Sequence, residues 1–378
     1  MNLPRPCRIV SALFGLAFLT LAGASPAEPL IVGQCAPLSG SLAGTGKEMV
    51  LGVRLAIDAA NAAGGVHGRP LKHVVKDDGY RTAETLRLTE ELVERDRAVA
   101  LVGYAGTGNI AELLKNGILS RSNVPLVAPY TGGEALRTPF NPWIYHIRAG
   151  YGDETEAMVE QLVNTGIQRI AVFHQNDAVG EAGLAGVEKA LARHKLQIVS
   201  KGSYEKNTEA VADAVARIAR GAPQAVILVG IVRPVGAFIK AYLAEYPGTQ
   251  MFSLSVVSAA ELSQVAGDSA RGVGITQVMP SPFNDHLRVV KDYQGALARF
   301  APGSAPSYTS FEEYVGTRAL IEALRNAGPN PGPAALHKAL AALDTDLGGF
   351  KLRFSADNRV GSRFVDITFV GREGKVLR

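Results

Sequence analysis

Cysteine is nearly missing from this chain: 378 residues hold two, Cys7 and Cys35, and a single tryptophan. With no C-x-x-C pair there is no dithiol couple and no zinc ribbon. The seven histidines (His67, His73, His146, His174, His194, His286 and His337) show no H-E-x-x-H or other close metal spacing. Neither a G-x-S-x-G nucleophile elbow nor a G-x-x-x-x-G-K-[ST] phosphate loop occurs. Gly103-Tyr104-Ala105-Gly106-Thr107-Gly108 is glycine-rich, but its order is not that of a dinucleotide fingerprint. No cofactor is implied, and the reading is a non-enzyme.

Excess charge of one sign is missing too. Of 39 basic residues, Arg5 and Arg8 lie at the N-terminus, which leaves 37 against 35 acids over the rest of the chain. A duplex-binding face needs a basic surplus to displace counterions, so nucleic acid is not an expected partner. Long apolar runs are absent beyond the start. Ile9 to Gly23 gives 15 residues, short of the ~20 needed to span a bilayer. With Arg5 and Arg8 before it and Ala22-Gly23-Ala24 or Ser25-Pro26-Ala27 after it, the run reads as a cleavable secretory signal over residues 1–27. Cys7 then leaves with the signal. Cys35, in the apolar run Leu30–Ala36, reads as a small buried hydrophobe without a disulfide partner. A monomeric protein of the bacterial periplasm is the expectation.

What is present is alternation. Strand-like runs fall at 30–36, 71–77, 98–103, 124–128, 168–174, 196–200, 225–230, 250–255 and 272–279. Helix-periodic segments lie between them. In 47–63, Val50, Val53, Ile57 and Ala60 recur at three- and four-residue steps, and Gly64-Gly65 ends the helix. Such βα repeats predict an α/β fold with parallel sheets covered on both faces. The series restarts near Arg169, and Phe140–Arg148 reads as a Pro-bounded connection. Helices are expected at 286–300, 308–327 and 333–342, with β-rich runs at 350–354 and 363–370.

The chemistry-bearing residues cluster in loops at the carboxyl ends of expected strands: Pro37–Gly46 (with Ser39 and Thr45), Gly103–Asn109 (with Tyr104, Gly106 and Thr107) and Pro129–Gly133 (with Tyr130 and Thr131). Ligands bind at that edge of an open α/β sheet, where helix N–H groups and hydroxyls favour an anion such as a carboxylate. Each residue also has a plainer reading. Ser39 and Thr107 are typical helix caps, Tyr130 and Tyr151 typical interface aromatics, and Asp177 a typical turn or cap residue.

Taken in order, Pro37-Leu38-Ser39-Gly40, Gly52-x-x-Leu55-Ala56-Ile57-Asp58, Asn61–Leu71, Asp77-Asp78, Gly103–Thr107, Val124–Val127 and Gly180–Leu184 resemble the type I periplasmic solute-binding proteins of the branched-chain amino-acid-binding class. The resemblance runs from about residue 29 to the end. It implies two doubly wound parallel-sheet lobes joined by three crossings, near 146–150, 276–280 and 346–350. Lobe 1 would comprise 29–147 and 279–346, and lobe 2 would comprise 148–278 and 347–378. It further implies that hydroxyls after the third and fourth strands, Thr107 and Thr131, grip a ligand carboxylate. Tyr151 and the Gly230–Arg233 loop would face the cleft. Members that bind amino acids place an acid after a second-lobe strand for the ammonium, and here Ser255 stands there, with Asp177 as a possible substitute. The implied function is capture of a small carboxylate-bearing solute for an inner-membrane ABC permease. A ligand-sensing subunit for a signalling partner needs the same cleft, and a hydrolase or oxidoreductase on a doubly wound fold is the other alternative.

Overall fold

Alternation inside the short apolar runs decides which side of a sheet each residue serves. In the computed structural model, which describes Met1 and residues 28–378, Ala100 and Val102 pack into one cluster while Leu101 between them packs into another. Ala225, Ile227 and Val229 likewise face away from Val226 and Leu228. Unbroken apolar strands of this kind need cover on both faces, and helices supply it. Met1 apart, the expected export signal lies outside the described residues. Among the described residues, no helix is long and apolar enough to cross a membrane.

The first sheet is wholly parallel: β1 (Leu30–Ala36), β2 (Leu71–Asp77), β3 (Ala100–Val102), β4 (Leu126–Val127) and β5 (Ile144–Tyr145), in the order β2-β1-β3-β4-β5. β5 corrects the reading of Phe140–Arg148 as a bare connection, since Leu126 pairs with Ile144 and Val127 with Tyr145. The second sheet has parallel strands β6 (Ile170–Gln175), β7 (Lys201–Tyr204), β8 (Ala225–Val229), β9 (Gln250–Ser253) and β10 (Gly274–Gln277). A hairpin follows, β11 (Asp344–Asp346) with β12 (Lys351–Arg353). The last two strands, β13 (Asp366–Val370) and β14 (Val376–Leu377), close the second sheet as an antiparallel edge. Its order is β14-β13-β10-β9-β8-β6-β7.

The strand expected at 196–200 lies later, at β7. Leu196, Ile198 and Val199 pack half-buried against the lobe cores as the chain climbs out of the helix Ala178–Arg193. The Val199 N–H donates to the Ile170 carbonyl at 3.0 Å and the Ser200 carbonyl accepts from the Val172 N–H at 3.1 Å, so the expected run leads into β7, whose register with β6 starts at Lys201.

The helices Ala43–Ala62, Arg288–Phe300 and Tyr308–Asn326 share one core cluster with the first sheet. The chain passes between sheets at 146–150, where Ile147 and Ala149 belong to the first cluster and Tyr151 to the second. It passes again after Gln277, with Val278 and Met279 already in the first cluster. The third passage falls later than the expected 346–350. Leu347, Phe350, Leu352 and Phe354 pack in the first cluster, because the β11–β12 hairpin folds its apolar side back onto it. The chain then runs beside the first crossing, where the His146 N–H donates to the Arg359 carbonyl at 2.8 Å, before it joins β13.

In both sheets the order reverses beside the first strand, between β1 and β3 and between β6 and β8. Reversals of this kind open a crevice at the carboxyl ends of the strands. The two crevices face each other.

Candidate functional site

On the first-lobe side, β3 ends at Val102 and the chain turns through Gly106 at φ +93° into the helix Thr107–Lys115. A side chain at Gly106 would meet the Tyr80 ring at 2.7 Å. β4 ends in Pro129-Tyr130-Thr131, tied to the β3 loop by a Tyr130 N–H to Tyr104 carbonyl bond of 2.8 Å. The two loops thereby bring Thr107 and Thr131 together, and their hydroxyls share a hydrogen bond of 2.7 Å. Thr131 Oγ1 also accepts from the Gly133 N–H at 3.1 Å, and the Tyr151 phenol lies nearby. Thr107 makes no side-chain cap to its helix, so its hydroxyl is committed to Thr131.

Tyr151 opens the helix Tyr151–Asn164 just after the first crossing, and its N–H donates to the Gly132 carbonyl at 2.8 Å. Its ring lies so close to Gly132 that a Cβ there would stand 2.4 Å from it. Thr107, Thr131 and Tyr151 are all at most 1% exposed, so this hydroxyl triad is sealed where the lobes meet.

From the second lobe, Gln175, Tyr204 and Gly230 meet at the ends of β6, β7 and β8. Tyr204 Oη donates to Gln175 Oε1 at 2.9 Å and accepts from the Ile231 N–H at 3.1 Å. Gly230 leaves room for it, since a Cβ there would sit 2.6 Å from the phenol oxygen. Gln175 donates to Asp177 at 2.7 Å and reaches the Tyr80 hydroxyl of the first lobe at 3.4 Å. Further out, Lys206 lies 4.1 Å over the Tyr80 ring and donates to Asn109 at 2.6 Å, and Ser41 donates to Asn207 at 2.9 Å. The lobes are closed on each other.

Three expected site residues have other work. Tyr104 turns into the far core of the first lobe, where its phenol accepts from Thr89 at 3.1 Å and neighbours Cys35. By parity it would join Ala100 and Val102, but Gly103 at φ +60° breaks the alternation and turns it to the side of Leu101. Thr45 bridges the lobes through Glu261 at 3.4 Å. Asp177 caps the helix Ala178–Arg193, accepting from the N–H groups of Val179 and Gly180. Cys35 is buried, its thiol pushed up to about 12 by burial.

Ser255 is enclosed by a charged cluster that its sequence position gave no sign of. Its N–H donates to Glu154 at 2.8 Å and its hydroxyl meets the Arg148 guanidinium. Arg148, on the first crossing and 0% exposed, also donates to Glu154 at 3.1 Å and to Glu312 of the first lobe at 3.2 Å. Burial opposes its charge, but Glu312 and Glu154 more than restore it and hold the guanidinium protonated. Burial also pushes Glu312 up to about 7, against the pull of Arg148. The guanidinium lies 5.3 Å from the Tyr130 ring, whose hydroxyl is fixed to Thr309 at 3.0 Å. The one signal in the sequence was a charge set inside the apolar stretch Ile147-Arg148-Ala149, where burial demands a partner.

Two parallel-sheet lobes on three crossings, closed over a hydroxyl-lined crevice, define a ligand clamp of the hinged-lobe class. The periplasmic binding protein family model matches residues 29–374. A substrate-binding periplasmic protein from Ralstonia solanacearum is 35% identical, with a TM-score of 0.88 over 92% of this chain and 99% of that one. A possible leucine/isoleucine/valine-binding protein from Rhodopirellula baltica is 30% identical, with a TM-score of 0.89 over 94% and 98%. An amino acid binding protein of Pseudomonas aeruginosa is 26% identical over 343 residues, 86% of this chain and 85% of that protein. The chain belongs to the type I periplasmic binding proteins, in the branch that holds the branched-chain amino-acid-binding proteins.

Proposed function

We propose that this protein is the substrate-binding component of an ABC importer, and that it captures a small carboxylate-bearing solute between its lobes for an inner-membrane permease. The observation that carries the reading is the buried Thr107–Thr131–Tyr151 triad at the sheet reversal. Hydroxyls and helix N–H groups give a carboxylate neutral donors, so it is held without a countercharge. Closure works by differential contact, since a ligand that touches both lobes stabilises only the closed form. Thr107, Thr131, Tyr151, Tyr130, Gly106 and Gly230 line this cleft in the proposal, and no chemical step is assigned to them.

The test is a thermal-shift screen of the purified protein against branched-chain and aromatic amino acids, their oxo acids, aromatic acids and dicarboxylates. A ligand at a hundred times its Kd adds about 2.7 kcal/mol to native stability. A clear shift by one or more carboxylates, lost with the corresponding amides, supports the reading. Shifts that survive amidation contradict it.

A further inference from the structure

Most carboxylate oxygens bordering the hydroxyl triad are answered from within the protein. Glu154 Oε1 accepts from Arg148, while Oε2 accepts from the Ser255 N–H at 2.8 Å and the Thr276 hydroxyl at 2.5 Å. Asp177 is taken up by two helix N–H groups and Gln175. Glu312 accepts from Arg148. Glu313 beside it has no partner on either oxygen, but burial and then the Glu312 charge hold its carboxyl well above the usual range. It lies under the first-lobe loops, against Gly103 and Gln34.

Two guanidinium Nε–H groups near the triad are buried without an acceptor, those of Arg137 and Arg148. Arg137 spends its other nitrogens on the Thr131, Arg148 and Ala149 carbonyls, whereas the Arg148 guanidinium faces Tyr130 and Ser255. A buried, charged donor with no acceptor is costly, and a ligand oxygen is one way to answer it.

We propose that Arg148 sets the ligand class: the cleft takes an organic acid whose polar group next to the carboxylate is an oxygen, as in a 2-oxo or 2-hydroxy acid, and disfavours an α-ammonium. This rests on the reading of the cleft as a carboxylate site. An oxo or hydroxyl oxygen accepts from Nε–H. An ammonium offers only donors and leaves the Nε–H unanswered. A buried polar group left unpaired by the wrong ligand is an effective source of specificity.

Calorimetry on the purified protein with matched trios tests this: phenylalanine, phenylpyruvate and 3-phenyllactate, then leucine with its 2-oxo and 2-hydroxy counterparts. The oxo or hydroxy acid is expected to bind at least about tenfold more tightly than the amino acid. Arg148→Lys keeps the charge that Glu154 and Glu312 require but removes the Nε donor, and should move that ratio toward one. An amino acid that binds as tightly as its oxo acid overturns the inference and leaves the carboxylate reading standing, because each trio shares its carboxylate. A ratio unchanged in a folded Arg148→Lys overturns it as well. If that variant does not fold, the wild-type ratios decide alone. Failure of every carboxylate in the trios and in the wider screen removes the underlying reading and the inference with it.

Discussion

The two sides of the cleft are built on different physics. The first lobe presents neutral hydroxyls on loops tied directly to each other, by backbone from Tyr130 to Tyr104 and by side chain from Thr107 to Thr131. The second lobe presents a buried ion cluster in which Arg148, Glu154 and Ser255 depend on one another and, through Glu312, on the opposite lobe. A neutral network can lose a member and keep its shape. A buried charge that loses its partner is left uncompensated in a poor solvent for ions. Substitutions on the two sides should therefore read out differently, in affinity on the first and in stability on the second.

The largest effect is expected from Glu154→Ala. It strands the Arg148 guanidinium together with the Ser255 N–H and Thr276 hydroxyl, and removal of one partner of a buried pair costs about 3–5 kcal/mol. Urea denaturation measures it, and a loss under about 1 kcal/mol would erase the contrast between the sides. Next comes Thr131→Val, which keeps the shape but removes the hydroxyl shared by Thr107 and Gly133. A hydrogen bond to a charged group is worth roughly 1.5–3 kcal/mol, so affinity for the strongest carboxylate of the screen should fall roughly tenfold to a hundredfold. The melting temperature should move far less than in Glu154→Ala. The reverse pattern, affinity kept and stability lost, would make Thr131 a structural residue only.

The smallest effect is a pH dependence. Glu312 is pushed up to about 7 from 4.5 by burial, so the folded protein holds its proton more readily than the unfolded chain does. The stability this contributes is fully present below 4.5 and is lost as pH rises through about 7. Melting temperatures followed across that window should fall less steeply in Glu312→Gln than in the parent protein. Parallel curves would show that Glu312 does not titrate there.

Much of this architecture was legible because periodicity carries it. β1 and β2 stand at their expected bounds, and Gly103–Thr107 and Pro129–Thr131 reach the sheet edge that their position after β3 and β4 demanded. Side-chain direction was less legible. Tyr104 and Thr107 stand three residues apart in one loop, yet one turns into the core and the other into the cleft, and that choice is made by the loop's glycine φ angles. The Arg148–Glu154–Glu312 cluster showed only its Arg148 member, for another reason. Its members are up to 164 residues apart, and only the crossing of the chain between lobes brings them together. The late third crossing was hidden by the same kind of long-range packing, through Phe350 and Phe354.

The claim on which all of this turns is that a carboxylate is held by closure of two lobes around the hydroxyl triad. Small-angle X-ray scattering tests it most directly, on the purified protein alone and saturated with the carboxylate that gives the largest thermal shift. The account predicts a smaller radius of gyration with ligand, and a smaller change at equal concentration in Thr131→Val. An identical radius with and without a ligand whose binding calorimetry has established would contradict it.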